Sequence, residues 1–252
     1  LRRCISEGFE GFELYFQPIY NPQNDKLSGA EALIRWNCSK YGFMEPDKFI
    51  PLLEESALII PLGRWIIDTA AKACNRWITN IPDFVMHINL SFVQIVKSNI
   101  IKDVLERIGR YSAANNHYVF EITETIEMDR IPAVERVFKE FIKNDFRLAI
   151  DDFGTGYSNY GYMRDKIFDI VKVDRSFITD IDKQRNNYLM VSFIIKMAHE
   201  MGLHVCIEGV ETKEELACVR ELGADYIQGY YYGKPVCVAD FEEQHLKKLI
   251  LG

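Results

Sequence analysis

Apolar stretches of strand length alternate with helical periodicity along most of this chain, and that alternation limits the fold more than any other feature. The expected strands are Phe12–Tyr20, Gly29–Trp36, Phe84–Leu90, Tyr118–Glu124, Arg147–Asp152, Asp169–Val173, Val205–Glu208 and Asp225–Gln228. Helices are expected over Leu62–Trp77, Phe92–Ile108, Ile131–Asn144, Asn186–Met201, Lys213–Leu222 and Val238–Leu249. The turn cluster Asn21-Pro22-Gln23-Asn24-Asp25 leaves no room for a crossover helix, so the first two strands form an antiparallel hairpin. Eight strands with intervening helices in 252 residues suit an α/β fold, a TIM-like (β/α)8 barrel with one antiparallel strand from the N-terminal hairpin. An open doubly wound sheet is the alternative for the same pattern.

Hydrophobic residues make up 48% of the chain, enough for one sizeable core. No linker, internal repeat or low-complexity segment divides it, so residues 1–252 read as a single domain. The formal net charge of -7, without a basic block, argues against binding polymeric nucleic acid, which needs clustered Lys and Arg. A small phosphate ligand carried in with metal ions stays open. Cys4, Cys38, Cys74, Cys206, Cys218 and Cys237 are scattered, as expected of reduced thiols in a cytoplasmic protein. No apolar run reaches the roughly 20 residues of a membrane span, so no membrane contact by this domain itself is expected. The chain opens Leu1-Arg2-Arg3 rather than with Met and is expected to be excised from a longer protein, whose missing region could carry a membrane anchor.

Oxygen donors stand at the ends of five expected strands: Glu31, Asn89, Glu121 with Glu124, Asp151 with Asp152, and Glu208 with Glu211. A carboxylate beside Val, Ile and Phe is costly to bury unpaired. So many of them point to one shared pocket held together by cations. Catalytic rims of barrels lie at these strand ends. Oxygen ligands without Cys or His partners indicate Mg²⁺ or Mn²⁺ rather than zinc. Consecutive strand side chains face opposite ways, so Asp151 and Asp152 can share a site only where the backbone turns, and Gly154 and Gly156 permit a turn there. Taken singly, each has a plainer reading. Asn89 could be a turn cap, the Asp pair an N-cap and a rim charge, and Glu31 a partner for Arg35. Lys172 interrupts the apolar strand Ile170-Val171-Lys172-Val173 and is either a functional barrel-interior cation or an edge charge.

In order along the chain stand Tyr15-Phe16-Gln17-Pro18-Ile19, Glu31-Ala32-Leu33-Ile34-Arg35-Trp36, Ile88-Asn89-Leu90-Ser91 and Glu121-Ile122-Thr123-Glu124. Asp151-Asp152-Phe153-Gly154-Thr155-Gly156-Tyr157-Ser158, Val171-Lys172-Val173-Asp174, Glu208-Gly209-Val210-Glu211-Thr212 and Gln228-Gly229-Tyr230 follow. The set resembles the EAL-domain family of cyclic di-GMP phosphodiesterases over essentially the whole chain. A bare Glu-Ala-Leu triplet means nothing; the full ordered set is specific.

The resemblance implies a bacterial signalling enzyme that opens cyclic di-GMP to linear pGpG with two metal ions per site. It implies that Glu31, Asn89, Glu121 and Asp151 hold one ion, and that Asp151, bridging, and Asp152 hold the other. Lys172 would face the attacking water and the scissile phosphate. Glu208 would orient or deprotonate that water, and Gln228 would join its hydrogen-bond network. Gln17, Leu33 and Arg35 match ligand-contacting positions. Gly154–Met163 resembles a mobile loop coupling dimer contacts to metal occupancy, with Glu124 and Glu211 as its anchors. Its Asn159-Tyr160-Gly161 departs from the usual pattern. A two-fold homodimer through this region is implied, with Tyr160, Tyr162 and Met163 as candidate contact groups. A catalytically silent cyclic di-GMP receptor and a pure interaction module are the competing functions, but the chain keeps every ligand. Some of Tyr230, Tyr231 and Tyr232 are expected to pack under the last helix rather than form a base-stacking stripe.

His199 and His204 stand five apart in His199-Glu200-Met201-Gly202-Leu203-His204. A zinc-protease helix needs them four apart, and Gly202 is expected to end the helix. No phosphate-cradling Gly-rich loop, dinucleotide fingerprint or serine nucleophile elbow occurs.

Overall fold

A computed structural model describes residues 1–124, 132–155 and 167–247. Strand β1 (Phe12–Asn21) and strand β2 (Lys26–Cys38) form the expected hairpin, with Gln17 opposite Glu31. From β2 the sheet runs parallel through β4 (Val85–Asn89), β5 (Tyr118–Thr123), β6 (Arg147–Phe153), β7 (Ile170–Val173), β8 (His204–Glu208) and β9 (Tyr226–Gln228). Strand β9 closes the ring on β1, with Ile19 opposite Gln228. The barrel is therefore closed, not an open sheet, and β1 is antiparallel to both neighbours. Strands β3 (Gly42–Met44) and β10 (Val236–Cys237) extend the sheet outside the ring.

Helices wrap the outside. The expected helix over Phe92–Ile108 is two, Phe92–Lys97 and Ile100–Ile108. Ser98 is extended at φ -132° and ψ 172°, and Asn99 caps the second helix through its side-chain oxygen. Pro46–Glu55 is a helix the sequence did not announce, with Phe49 and Leu53 buried four residues apart. Among the described residues the closing helix begins as an α-helix over Val238–Phe241 and continues as a π turn over Glu242–Leu246. The helix Arg185–Glu200 ends where expected, and Gly202 follows at φ +75°. His199, in the last turn of this helix, and His204, at the start of β8, both reach the Asp225 carboxylate, at 2.8 and 3.4 Å, in a surface staple. No helix among the described residues is long and apolar enough to cross a membrane.

Strand periodicity builds the interior in layers. Phe16, Ile88, Phe120, Ile150 and Ile207 face outward into the main core under the helices. Ile19, Val119, Ala149, Ile170 and Cys206 pack together inside the barrel. Two residues further along their parallel strands, in the same inward phase, come Glu121, Asp151, Lys172 and Glu208. Small and branched apolar groups fill the lower barrel, and charge fills the upper.

Candidate active site

Every strand of the ring places a polar side chain at the C-terminal mouth. Lys172 is the hub. Its Nζ lies 2.8 Å from Glu121 Oε2, 2.8 Å from Glu208 Oε1, 3.1 Å from Asp151 Oδ1 and 3.5 Å from Glu31 Oε2. It is an interior cation, not an edge charge. Asn89 donates to Glu31 Oε1 at 2.5 Å, and Gln228 donates to Glu31 Oε2 at 2.6 Å and to Gln17 Oε1 at 2.9 Å. Glu31 thus bonds into the cluster, while Arg35 donates to the Ile34 carbonyl.

Strand β6 ends with the turn that the paired aspartates need. Asp152 takes a left-handed φ of +55°, and the pairing with β7 shifts register between Ile150 and Phe153. Holding a non-glycine residue there costs on the order of 1 kcal/mol. The turn brings one carboxylate oxygen each from Asp151, Asp152 and Glu208 within 4.8 Å of one another. Gly154 follows at φ +98°, where a Cβ would come within 2.6 Å of the Phe177 ring. Buried Glu124 accepts the Gly154 N–H on Oε2 at 2.8 Å and so ties down the start of the following loop.

The carboxylates outnumber the ammonium, and their proton affinities reflect it. Burial, then the neighbouring Glu31, raises Glu121 well above the usual carboxyl range. Burial lifts Glu208 to about 8 against the pull of Lys172. Burial and then Asp151 lift Asp152 to about 6. Burial would also raise Glu31, but Lys172, Gln228 and Asn89 outweigh it and leave Glu31 below its ordinary value. Burial opposes charge on Lys172, yet the surrounding carboxylates hold its pKa well above the usual lysine range. Asp151 Oδ1 is buried with the Lys172 ammonium at 3.1 Å as its partner, and Gln228 Oε1 is buried and accepts no hydrogen bond. An all-oxygen set in which several buried carboxylates share one ammonium fits a hard divalent cation.

Beside the cluster opens a cavity of about 740 Å³, lined by Leu33, Arg35, Ile50 and Glu54 together with Glu31, Asn89 and Glu121 of the cluster. Arg35 lies 5.7 Å from the Tyr15 ring centroid. Of the expected ligand contacts, Leu33 and Arg35 line this cavity. Gln17 instead faces Gln228 and donates to the Gly233 carbonyl at 3.3 Å. Tyr232 stacks on Tyr20 at 4.3 Å, whereas Tyr230 and Tyr231 are exposed. Glu211 is exposed just before the helix Lys213–Leu222, its backbone N–H bonded to Glu215. Most of the expected loop, with Asn159, Tyr160, Gly161, Tyr162 and Met163, lies outside the described residues.

One site residue escaped the sequence reading. His87, buried on β4, places Nδ1 2.7 Å from Glu121 Oε1. Burial and then Lys172 hold its pKa well below the usual histidine value. The available signal was its phase, two residues before Asn89.

A closed (β/α)8 barrel with an acidic, cation-fitting centre at its C-terminal rim defines the class. Within that class the chain belongs to the EAL domain family, whose model matches residues 1–235. The chain is 31% identical to the probable cyclic di-GMP phosphodiesterase PdeG of Escherichia coli (strain K12), over 100% of this chain and 48% of that protein. The solved EAL enzyme Bd1971, bound to cAMP and cyclic-di-GMP, matches with a TM-score of 0.88 and 32% identity over 96% of this chain and 68% of that one. The MucR phosphodiesterase in complex with c-di-GMP matches with a TM-score of 0.88 and 29% identity over 95% of this chain and 97% of that one. The chain spans about a third to a half of the length of the curated relatives it matches.

Proposed function

We propose that this domain hydrolyses cyclic di-GMP to linear pGpG with two Mg²⁺ or Mn²⁺ ions, as one domain of a longer signalling protein. The observation that carries this reading is the convergence of Glu31, Glu121, Asp151 and Glu208 on Lys172 at the barrel mouth. A phosphodiester anion repels hydroxide, so its hydrolysis needs positive charge placed at the phosphate and the nucleophile. Glu31, Asn89, Glu121 and Asp151 would hold one ion. Asp151, bridging, and Asp152 would hold the second, with Glu208 near enough to join them. When bound, such ions supply Lewis acidity and lower the pKa of water. Lys172 favours hydroxide over water beside it and offsets charge growing on the phosphoryl oxygens. Glu208, against Nζ, orients the attacking water, and Gln228 Oε1 is free to accept its hydrogen. Arg35 offers a guanidinium to a guanine edge or a phosphate, and Leu33 an apolar contact.

The names of PdeG, Bd1971 and MucR support the same substrate. A homodimer is part of the reading. The helix Arg185–Glu200 exposes Leu189, Met190 and Phe193, an apolar face with no use in a monomer. The test is turnover by the purified chain. Linear pGpG should form with Mg²⁺ or Mn²⁺ and not with EDTA or Ca²⁺. Tight binding without product under every metal would make the domain a receptor instead. Absence of binding would leave an interaction module.

A further inference from the structure

We propose that His87 is a positioning residue, a hydrogen-bond donor that fixes the Glu121 carboxylate for a divalent cation. The inference rests on the metal-dependent reading above. Strand β4 sits between the two glutamates expected to bind the same ion. Its register places His87 beside Glu31 on β2 and beside Val119 on β5, and Asn89 beside Glu121. The two inward side chains of β4 then cross over. Asn89 donates back to Glu31 Oε1 at 2.5 Å, and His87 reaches up to Glu121 Oε1 at 2.7 Å. Lys172 occupies the other oxygen, Oε2, at 2.8 Å. Glu121 is therefore held from both ends, and its rotation about the last side-chain bond is stopped.

The direction of the bond follows from ligand chemistry. A carboxylate that binds a cation is deprotonated and only accepts, so the proton lies on His87 Nδ1. A plain core role fits less well. Val119, Ala149, Ile170 and Cys206 fill the same inner part of the barrel with no polar atom beyond a thiol. His87 alone among the inward groups there reaches the acidic layer, and it also lines a cavity of about 600 Å³ at the opposite mouth, with Lys26 and Arg147. An imidazole at that depth needs a polar partner, and among the described residues its side-chain hydrogen bond goes to a candidate ligand. Partners that hold a ligand in orientation typically change metal affinity by about 10–100-fold when removed.

The test compares the intact chain with His87→Leu and His87→Asn. Mn²⁺ affinity is read by titration calorimetry and by the free-Mn²⁺ paramagnetic resonance signal. Circular dichroism and melting are recorded in EDTA. His87→Leu should bind Mn²⁺ about 10–100-fold more weakly with its fold retained. Its turnover should climb back as Mn²⁺ is raised, which a misfolded or merely loosened barrel would not do. In His87→Asn the Nδ2 donor overlays Nδ1, so Mn²⁺ affinity should stay close to that of the parent chain. Wild-type affinity in a folded His87→Leu overturns the proposal, and so does equal loss in a folded His87→Asn. If His87→Leu fails to fold, His87→Asn decides by the same criterion. A parent chain that binds no Mn²⁺ at all overturns the metal-dependent reading together with this one. That pattern differs from a parent that binds beside an unaffected Leu variant.

Discussion

Replacing Lys172 by methionine keeps the length of the side chain and removes its charge. Glu31, Glu121, Asp151 and Glu208 then lose their common partner. Removing one member of a buried ion pair typically costs about 3–5 kcal/mol. Part of that is relieved here, because Glu121 and Glu208 already favour a proton and take one up rather than stay charged. The net cost in EDTA is then about 2–3 kcal/mol, or roughly 4–12 °C in Tm for a chain of this size. Saturating Mn²⁺ supplies the missing positive charge and should recover most of the lost Tm. Activity should not recover with it. In the proposed mechanism the ammonium acts on charge that develops during the reaction, so kcat should fall by about 10²–10³ while cyclic di-GMP affinity changes far less. Calorimetric melting in EDTA and in Mn²⁺, with initial rates and ligand titration, checks both halves. A parental Tm in EDTA refutes the charge-balance reasoning. Equal losses in binding and turnover would make Lys172 a substrate clamp.

Asp151→Asn should abolish hydrolysis with the fold retained, since a carboxylate proposed as a ligand of both ions is gone; near-normal turnover in Mg²⁺ would remove Asp151 from the ligand set. Glu124→Ala should cut activity although Glu124 is not a proposed ligand, because the Gly154 N–H loses its buried acceptor; unchanged specific activity would mean the loop start holds itself. Phe193→Lys should lower the mass seen by light scattering, and an unchanged dimer would place the interface elsewhere. Asp225→Asn tests the basal staple by pH. Burial would raise Asp225, but His204 and His199 draw it down to about 2. Its contribution is present above the unfolded Asp pKa of about 3.9 and fades as pH falls through the folded value. His204 is raised, chiefly by Asp225, so its share is full below about 6.5 and fades as pH rises through the folded value. The variant should therefore lose most stability between about pH 4 and 6.5, by about 1 kcal/mol after solvent screening. A deficit that is flat from pH 5 to 9 in denaturant titrations would reject the staple.

The barrel was legible because its strands announce themselves by phase. Gln17 and Glu31 sit across one hairpin register, and the short turn between the strands forces them antiparallel. Val119 and Glu121, Ala149 and Asp151, and Ile170 and Lys172 each differ by two, so an apolar inner residue predicts where the next inner residue emerges. What stayed hidden was set by tertiary contact. β3 and β10 are only three and two residues long, too short to carry a period. Pro46–Glu55 carries a proline inside it, which disfavours a helix locally, and the burial of Phe49 and Leu53 in the core outweighs it. The break at Ser98 interrupts a run whose apolar spacing continues on both sides.

In the site, the convergence of oxygen donors at the barrel mouth could be read from the strands, but the groups that support those donors could not. The need for a turn at Asp151-Asp152 followed from strand geometry. That Asp152 itself would take the left-handed turn, ahead of Gly154, did not, because glycine is the cheaper host for positive φ. Its placement there lets the second carboxylate swing back beside Asp151 and Glu208, whereas a glycine would have made the turn without a donor. His87 was hidden for a related reason. A lone histidine on an apolar strand reads as a satisfied core residue, and only the β4–β5 register shows what satisfies it. At Asp152, His87 and Lys172 the barrel departs from the residue that local structure prefers, and each of these departures touches a candidate ligand or is one. Local preference and site chemistry disagree at those positions, and side-chain chemistry has prevailed.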